Sequence, residues 1–422
     1  MTPDQPLLLV IGTGSREFRE YLLSSIGTSY RVHVFLGAEP TWQRDHICAW
    51  TVIPGMDEET IDAEKMSSAA TALTGREPVH GVMSWDEARV LQVAKVGAAL
   101  GLPGGNPAAA MRCRDKHQTR EALAAADLPQ PQSILIKGAD EALAAAERIG
   151  YPVVLKPRAQ AGSLGVVRVD TPEELTMLFA FARGTTMAGA WHDDVERLVE
   201  EYLDAPEVSI DSAVHTGQVF PFCVARKGLG YPPYFEEVGH VVHGTDPLLT
   251  DPDIQSSLER IHSALGFTDG MTHVEAKVTP RGLEVIEVNG RLGGDMIPYL
   301  GLRARGIDPG LAAAAVACGR LPSLQPDRQL VAAVRFFYVE QDDTTIGSIG
   351  FADAPLPAAV DRRVTLVAPG AVVSPPPKGI LFGRIAYATA VADTDQECQA
   401  ALDAAEATLR VAPAGAAVGV GA

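Results

Sequence analysis

Glu287, Asn289 and Arg291 lie two residues apart in LEVIEVNGRLGGD (283–295). In an extended strand alternate side chains share a face. One face of this segment therefore presents an acid, an amide and a guanidinium in a row, and Ile286 and Val288 turn to the other. HVEAKV (273–278) reads as a partner strand across a Thr-Pro-Arg-Gly turn. A three-residue loop pairs residue 279 with 283 and sets Glu275 across from Glu287; a two-residue turn would shift the pairing by one. Two carboxylates so opposed lie about 5 Å apart and repel. A cation between them relieves this. Magnesium suits such a place, because it takes one or two carboxylates and completes its octahedron with waters and phosphate oxygens. Asn289 adds a neutral oxygen ligand, and Arg291 a fixed fork for phosphate or carboxylate. The alternative is a solvated sheet face with a Glu–Arg pair, and spacing alone does not choose between the two.

Other segments carry further polar groups. In KPRAQAGSLGV (156–166), Lys156 ends an apolar strand and a loop with Gly162, Ser163 and Gly165 follows. Backbone N–H groups of such a loop can wrap phosphates, although GxxxxGK[ST] is absent and many glycine loops are only turns. Lys116 falls in the first turn of a helix, where the dipole disfavours a cation; a nearby anion, or plain solvation, would resolve that. In VEEYLDAPEVSID (199–211), Glu200, Tyr202 and Leu203 lie on a strand-to-loop edge that could offer backbone groups to a base. Glu207 could accept from ribose hydroxyls. VIGTGSRE (10–17) holds half of a dinucleotide fingerprint, but Glu17 takes the place of the third glycine.

The elements that must position these groups follow from periodicity. Residues 7–100 alternate strands (7–12, 31–37, 79–85) with helices (16–27, 86–100), which implies a small parallel sheet covered by helices. Asn106-Pro107 opens a helix, and Asp115 with Gln118 reads as a capping box for the next. A helix at 141–150 ends on glycine. Strands follow at 151–157, 166–170, within 197–214 and at 218–226, then a helix at 251–267, the two strands of the acidic row, and a helix at 306–318. The Pro-rich stretch 321–329 marks a boundary. Beyond it, strands at 331–339, 363–368 and 381–391 and a helix at 394–409 form a smaller unit. The last ten residues are low in complexity and are expected to be mobile.

The chain has 422 residues, enough for two or three domains, and a formal net charge of −18. That balance argues against a nucleic-acid partner or an anionic membrane surface. Five scattered cysteines with no CxxC pair argue against a disulfide framework or a zinc site and favour a cytoplasmic location. The N-terminus has no basic segment before its short apolar run, so it reads as a strand rather than a signal peptide. No apolar run is long enough to span a membrane.

Taken in order, RDKHQTREAL, YPVVLKPRAQAGSLGV, LVEEYLDAPEVS, HVEAKV and IEVNGRLGGD resemble the ATP-grasp superfamily over about residues 5–320. The pattern is most similar to its L-amino-acid (dipeptide) ligases, whose C-terminal lid resembles VRFFYVE and GILFGRIAYATAVADTDQECQAAL here. The resemblance implies an α/β and α+β fold. Its parts would be a Rossmann-like domain over 1–110, an ATP-grasp domain over 111–320 with a small subdomain at about 130–197, and a C-terminal α+β lid domain over 321–422. It implies that Lys116, Lys156 and Ser163 contact ATP phosphates, that Glu200, Tyr202 and Leu203 line adenine, and that Glu207 holds ribose. Glu275, Glu287 and Asn289 would bind two Mg2+ ions, with Mn2+ able to substitute, and Arg291 would steady an acyl phosphate. Glu87 matches an acidic position of the first domain, and His240 a histidine near the phosphoryl group. His243 falls where such ligases often carry proline. Asp295 would either meet a substrate amine or cap the helix that starts at Met296.

The implied function is ATP-dependent joining of a small carboxylate and an amine through an acyl phosphate, and a homodimer fits the family. A biotin-carboxylase-like or carbamoyl-phosphate-forming enzyme is the alternative. A denser glycine loop would be expected of the former, and the second half that carbamoyl-phosphate formation calls for is absent. A dehydrogenase rests only on the GTG at 12–14. A non-catalytic nucleotide sensor would not need a full set of metal ligands.

Overall fold

The computed structural model describes residues 5–56, 63–183 and 196–414. The Ala- and Gly-rich end, from 415 on, lies outside them. Among the described residues no helix is long and apolar enough to cross a membrane.

The chain begins with the expected βα alternation: β1 (Leu7–Ile11), α1 (Arg16–Ser29), β2 (Arg31–Leu36), β3 (Ala49–Val52), α2 (Ala63–Thr74), β4 (Gly81–Met83) and α3 (Val90–Leu100). The four strands form a parallel sheet in the order β3-β2-β1-β4. β1 is buried along its whole length, as a strand covered on both faces must be. β3 was not anticipated. It is an edge strand of half-buried and exposed residues and carries no continuous apolar run.

Two short helices lead out of this sheet. Asn106 caps α4 (Pro107–Arg114) by accepting from the Ala109 N–H. Asp115 caps α5 (Lys116–Ala125) by accepting from the His117 and Gln118 N–H groups. The Gln118 amide turns back to Asp115 Oδ2 at 2.9 Å, so the reciprocal half of a capping box is replaced by a side-chain contact.

A second layer holds β5 (Ser133–Ile136), α6 (Ala139–Ile149), β6 (Val153–Pro157), β7 (Val167–Val169), α7 (Pro172–Leu178) and β8 (Arg197–Glu201). Its antiparallel sheet runs β5-β8-β6-β7. α6 and α7 supply Ala142, Ala146 and Leu175 to a core with Val153, Leu155 and Val199.

The third layer starts with β9 (Glu207–His215), β10 (Gln218–Gly230), β11 (Glu236–His243), α8 (Pro252–Leu265), β12 (Gly270–Thr279) and β13 (Gly282–Asn289). α9 (Ile297–Arg305) and α10 (Pro309–Ala317) follow. The helix expected at 306–318 is α10; α9 precedes it and ends at Gly306, whose φ of +78° makes a left-handed cap. The chain then passes through 321–329 to β14 (Val331–Tyr338), β15 (Thr344–Phe351), β16 (Val360–Thr365), β17 (Val372–Val373), β18 (Arg384–Ala392), α11 (Asp395–Glu406) and β19 (Leu409–Pro413). Three of these strands extend the sheet already begun, giving the order β13-β12-β9-β10-β11-β14-β18-β16. β17, β15 and β19 make a small sheet beside it.

The β12–β13 ladder departs from the sequence expectation in an instructive way. Thr279 pairs with Gly282, so the loop has two residues and not three. Val278 then faces Leu283, Lys277 faces Glu284, and Ala276 faces Val285. The next pair is nevertheless Glu275 with Glu287. Ile286 is an extra residue, a bulge that shifts the register by one and restores the opposition of the two acids. It also breaks the alternation. Val285 and Val288 both enter the core under α8, whereas Ile286 lines the cleft on the other side with Glu287. Ile286 and Val288 therefore do not share a face.

Candidate active site

The β5-β8-β6-β7 sheet and the eight-stranded sheet flank an open cleft of about 780 Å³. Lys116 from α5, Lys156 from β6, Ser163 from the glycine loop and Glu200 from β8 line it. So do Tyr202 and Leu203 after β8, Glu207 from β9, Glu275 from β12 and Glu287 from β13. Segments 171 residues apart in sequence thus meet, as in the 3.0 Å contact between Lys116 Nζ and Glu287 Oε1. That carboxylate is the anion that a lysine at a helix N-terminus requires. Lys116 Nζ also donates to the Gln160 carbonyl at 2.6 Å, tying α5 to the glycine loop.

Glu200 turns its side chain toward two cations. Arg120 of α5 grips it with Nε at 2.8 Å and Nη2 at 3.0 Å, and Lys156 Nζ approaches at 2.5 Å. Burial works to raise the Glu200 pKa, but the charges of Arg120 and Lys156 override it and hold the acid at about 2. One carboxylate cannot compensate two buried cations. Lys156 bears the deficit: burial, with Arg120 and Lys116 adding to it, lowers its pKa to about 8 despite Glu200. The bulge helps here, because Val285 and Ile286 aim successive carbonyls at Arg120, at 2.8 and 3.1 Å. Lys156 reaches the second of them at 3.4 Å.

Lys227 has no counterpart in the sequence expectations. The sequence pattern ends strand β10 at Arg226, but pairing with β11 carries it to Gly230. The Lys227 side chain is 1% exposed, and its ammonium touches Glu207 at 3.1 Å, Glu237 at 2.8 Å and Glu275 at 2.8 Å. Burial would lower its pKa, but Glu237, Glu275 and Glu207 together push it well above the ordinary value. Burial also opposes ionisation of Glu275, yet Lys227 and His273 hold that carboxyl well below the usual range. Glu237 shifts the other way, raised by burial more than Lys227 can offset. No short-range pattern marks Lys227, since its partners come from three other strands.

Loop 158–165 closes one side. Gly162, Ser163 and Gly165 all have positive φ, of +66°, +59° and +71°. A Cβ on Gly162 would stand 2.8 Å from Leu381 Cδ2, so this loop packs directly on the C-terminal residues. Arg158 anchors its start by a two-pronged contact to Asp115, at 2.8 and 2.6 Å.

The cleft opens into a second, charged chamber. The two share Gly162, Glu237 and Glu275. Glu87, Trp85, Arg291, Asp295 and Arg384 line the chamber beyond them. Arg291 Nε donates to Glu87 Oε2 at 2.7 Å. Burial opposes the charge on Glu87, but Arg291, Arg114 and Lys116 hold its pKa down. With its amide assigned so that the nitrogen faces the acids, Asn289 donates to Glu287 Oε1 at 3.3 Å and Glu87 Oε2 at 2.9 Å, so it sits between the two.

Asp295 does not cap α9. Its φ is +48°, Met296 is the N-cap residue, and no side chain caps that helix. The Asp295 carboxylate instead meets Arg384 Nη1 at 2.6 Å and His240 Nε2 at 3.1 Å. His240 is buried behind the chamber wall, with the same nitrogen 3.2 Å from Glu237 Oε2. Its Nδ1 has no hydrogen-bond partner among the described residues. His243 lies at the far end of β11 and pairs with Asp395 at 2.8 Å.

A family model described as the ATP-grasp domain matches residues 149–299. The chain is 30% identical over 373 residues to the uncharacterized protein y4rH of Sinorhizobium fredii, covering 86% of this chain and 74% of that one. The chain belongs to the ATP-grasp family. Human carnosine synthase 1 is 25% identical over 334 residues, 75% of this chain and 40% of its own length. The alanine–anticapsin ligase of Bacillus subtilis is 24% identical over 261 residues, 56% of this chain and 54% of its own. The chain thus spans about half or less of those two ATP-grasp relatives. In fold it is similar to an L-amino acid ligase from Bacillus licheniformis, with a TM-score of 0.77, 22% identity, and coverage of 98% of this chain and 100% of that one.

Proposed function

We propose that the protein joins the carboxylate of one small molecule to the amine of another, using ATP and releasing ADP and phosphate. The observation that carries this reading is the shared wall. Gly162, Glu237 and Glu275 belong both to the cleft and to the charged chamber, so a terminal phosphate in the first meets an acid in the second.

In this reading Lys116 and Lys156 hold the nucleotide phosphates, and loop 158–165, with Ser163, covers them. The edge at Tyr202 and Leu203 receives adenine beside Glu200, and Glu207 takes the ribose hydroxyls. The donor set of Glu275, Glu287 and Asn289 is all hard oxygen, which fits magnesium. A half-turn of the Asn289 amide presents its oxygen where its nitrogen now lies. Two ammonium groups, Lys116 and Lys227, already stand against these acids, so the place favours positive charge. Two bound Mg2+ ions would supply charge neutralisation for phosphoryl transfer.

The substrate carboxylate oxygen attacks the γ-phosphorus and the bond to the ADP oxygen breaks, leaving an acyl phosphate. Arg291, fixed by Glu87, faces that group and offsets its charge. The amine then attacks the acyl carbon and phosphate departs with the electron pair of the C–O bond. The attacking nitrogen must lose a proton. Glu237 is placed to take it, because it borders both spaces and burial raises its proton affinity. His240 holds Glu237 and Asp295 in position. Loop 158–165 and the C-terminal residues keep water from the acyl phosphate.

The test is ADP and phosphate release from Mg-ATP with pooled amino acids, followed by mass spectrometry. Amino-acid-dependent ADP and a new mass of two substrates less one water are expected. ADP release that depends on bicarbonate or ammonia instead would overturn the reading.

A further inference from the structure

Arg19 lies on the buried side of α1 with Leu22, Leu23 and Ile26. It is 9% exposed and lines the charged chamber. Its two terminal nitrogens donate to one acceptor, the Gly293 carbonyl, both at 3.3 Å. No carboxylate among the described residues forms an ion pair with it. The other chamber cations are all paired: Arg291 with Glu87, Arg384 with Asp295 and Glu236, and His273 with Asp211. Asp295 and Asp86 act on Arg19 only at a distance. Asp295 is engaged by Arg384 and His240, and Asp86 accepts from the Ala88 N–H. Burial lowers the Arg19 pKa; Tyr21 opposes this and Arg291 adds to it. A buried guanidinium without a counterion is costly, and proteins retain one where an anion will arrive.

The surroundings are shaped around this side chain. A Cβ on Gly14, whose φ is +64°, would stand 3.2 Å from Arg19 Cγ. Trp85 Nε1 ties down the same turn through the Thr13 carbonyl at 3.0 Å. The GTG loop, with only half a dinucleotide fingerprint, thus packs against the stem of Arg19. On the far side the Gly293 N–H donates to Asp211 Oδ2 at 3.2 Å, and Asp211 is held by His273, so the carbonyl that orients Arg19 is itself fixed. Two of the five N–H donors are directed there, and the residue lines the chamber.

We propose that Arg19 anchors the free carboxylate of the amine-bearing substrate, so that the acceptor is an amino acid and not a simple amine. This rests on the ligase reading above. The carboxylate to be phosphorylated belongs at the end where chamber and cleft meet. Arg19 lines the chamber and not the nucleotide cleft, so it meets a carboxylate that survives into the product.

The experiment compares free amino acids with their C-terminal amides as acceptors, in wild type, Arg19→Gln and Arg19→Lys. Glutamine keeps a donor for the Gly293 carbonyl and removes the charge. Wild type should prefer the free acid by roughly 10- to 100-fold in kcat/KM, the worth of a charge-assisted hydrogen bond. In Arg19→Gln that ratio should collapse toward one, mainly through KM for the free acid, and Arg19→Lys should restore part of it. A merely structural arginine would lower both acceptors alike and leave the ratio intact; that result, or a wild type indifferent to the amide, overturns the proposal. Equilibrium binding of the same probes with a non-hydrolysable ATP analogue separates the two levels. Arg19-dependent binding of free acids without ADP release would overturn the ligase reading and keep the anchor. Absence of binding would overturn both.

Discussion

Glu275 and Glu287 stand directly across from one another because Ile286 is inserted into the ladder between their strands. The bulge puts both acids at one place in the cleft and aims the Val285 and Ile286 carbonyls at Arg120. Glu287→Gln retains the shape and removes the charge. Turnover should fall by about 100- to 1,000-fold, the loss typical of one preorganised charge-stabilising group. The variant should fold, since Lys116 keeps the Gln160 carbonyl, and should need more magnesium for half-maximal rate. ADP release against magnesium concentration measures this. Near-normal turnover would remove Glu287 from the metal site.

Lys227 contacts Glu207, Glu237 and Glu275 from one buried position. Lys227→Met leaves those acids without their shared cation, which should cost about 3–5 kcal/mol. The unfolding midpoint in EDTA should drop, and Mg2+ with ADP should recover more of it than in wild type. Thermal scans with and without the pair read the difference. A variant as stable in EDTA as wild type would show that the three acids relax apart.

In the proposed reading Lys156 links nucleotide binding to pH. Its folded pKa of about 8 lies below the ordinary 10.5. Between these values the unfolded chain binds more protons, so this lysine makes stability rise with pH across that window. Incoming phosphate supplies the missing anion and draws the pKa back up. Binding of Mg-ATP at pH 8.5 should therefore take up a proton, and Lys156→Arg should abolish the uptake. Calorimetry in two buffers of different ionisation enthalpy counts it. A proton count of zero in wild type would refute the depressed pKa.

Glu87 belongs to the first βα layer and Arg291 to the bend after β13, so their ion pair joins two layers across the chamber. Glu87→Gln should loosen Arg291 and lower kcat by about tenfold or more, while KM for ATP stays near its wild-type value. Steady-state kinetics with ATP varied decides this. An ATP KM that rises as steeply as kcat falls would place Glu87 in the nucleotide site.

Local pattern carried much of this architecture. The alternation of β1, α1 and β2, the Asn106 and Asp115 caps, and the strands bearing Lys156, Glu275 and Glu287 are all written in short windows. The opposition of Glu275 and Glu287 was anticipated for an incorrect reason, a longer loop; a shorter turn and a bulge combined to the same register. No window reveals a bulge, because Ile286 is an ordinary strand residue until its partner strand is known. Lys227, Arg120 and Arg19 were illegible for the same cause. Each is defined by partners far away in sequence: three acids for Lys227, Glu200 and two carbonyls for Arg120, and the Gly293 carbonyl for Arg19. Asp295 looked like a helix cap because a helix does follow it, but Arg384, 89 residues on, claims its carboxylate.

Each acid around Lys227 and Lys116 touches an ammonium, and in the proposed reading this would order the events of loading. In the proposed reading, a divalent ion arriving alone would find Glu287 engaged by Lys116, and Glu207, Glu237 and Glu275 sharing Lys227, with little to displace either ammonium. An ion that arrives on a polyphosphate brings anions of its own. The lysines can turn to these and release the carboxylates to the metal. On that reading the empty enzyme would be self-inhibited toward free cations: nucleotide and metal would enter as one complex, with the lysines changing partner as they do.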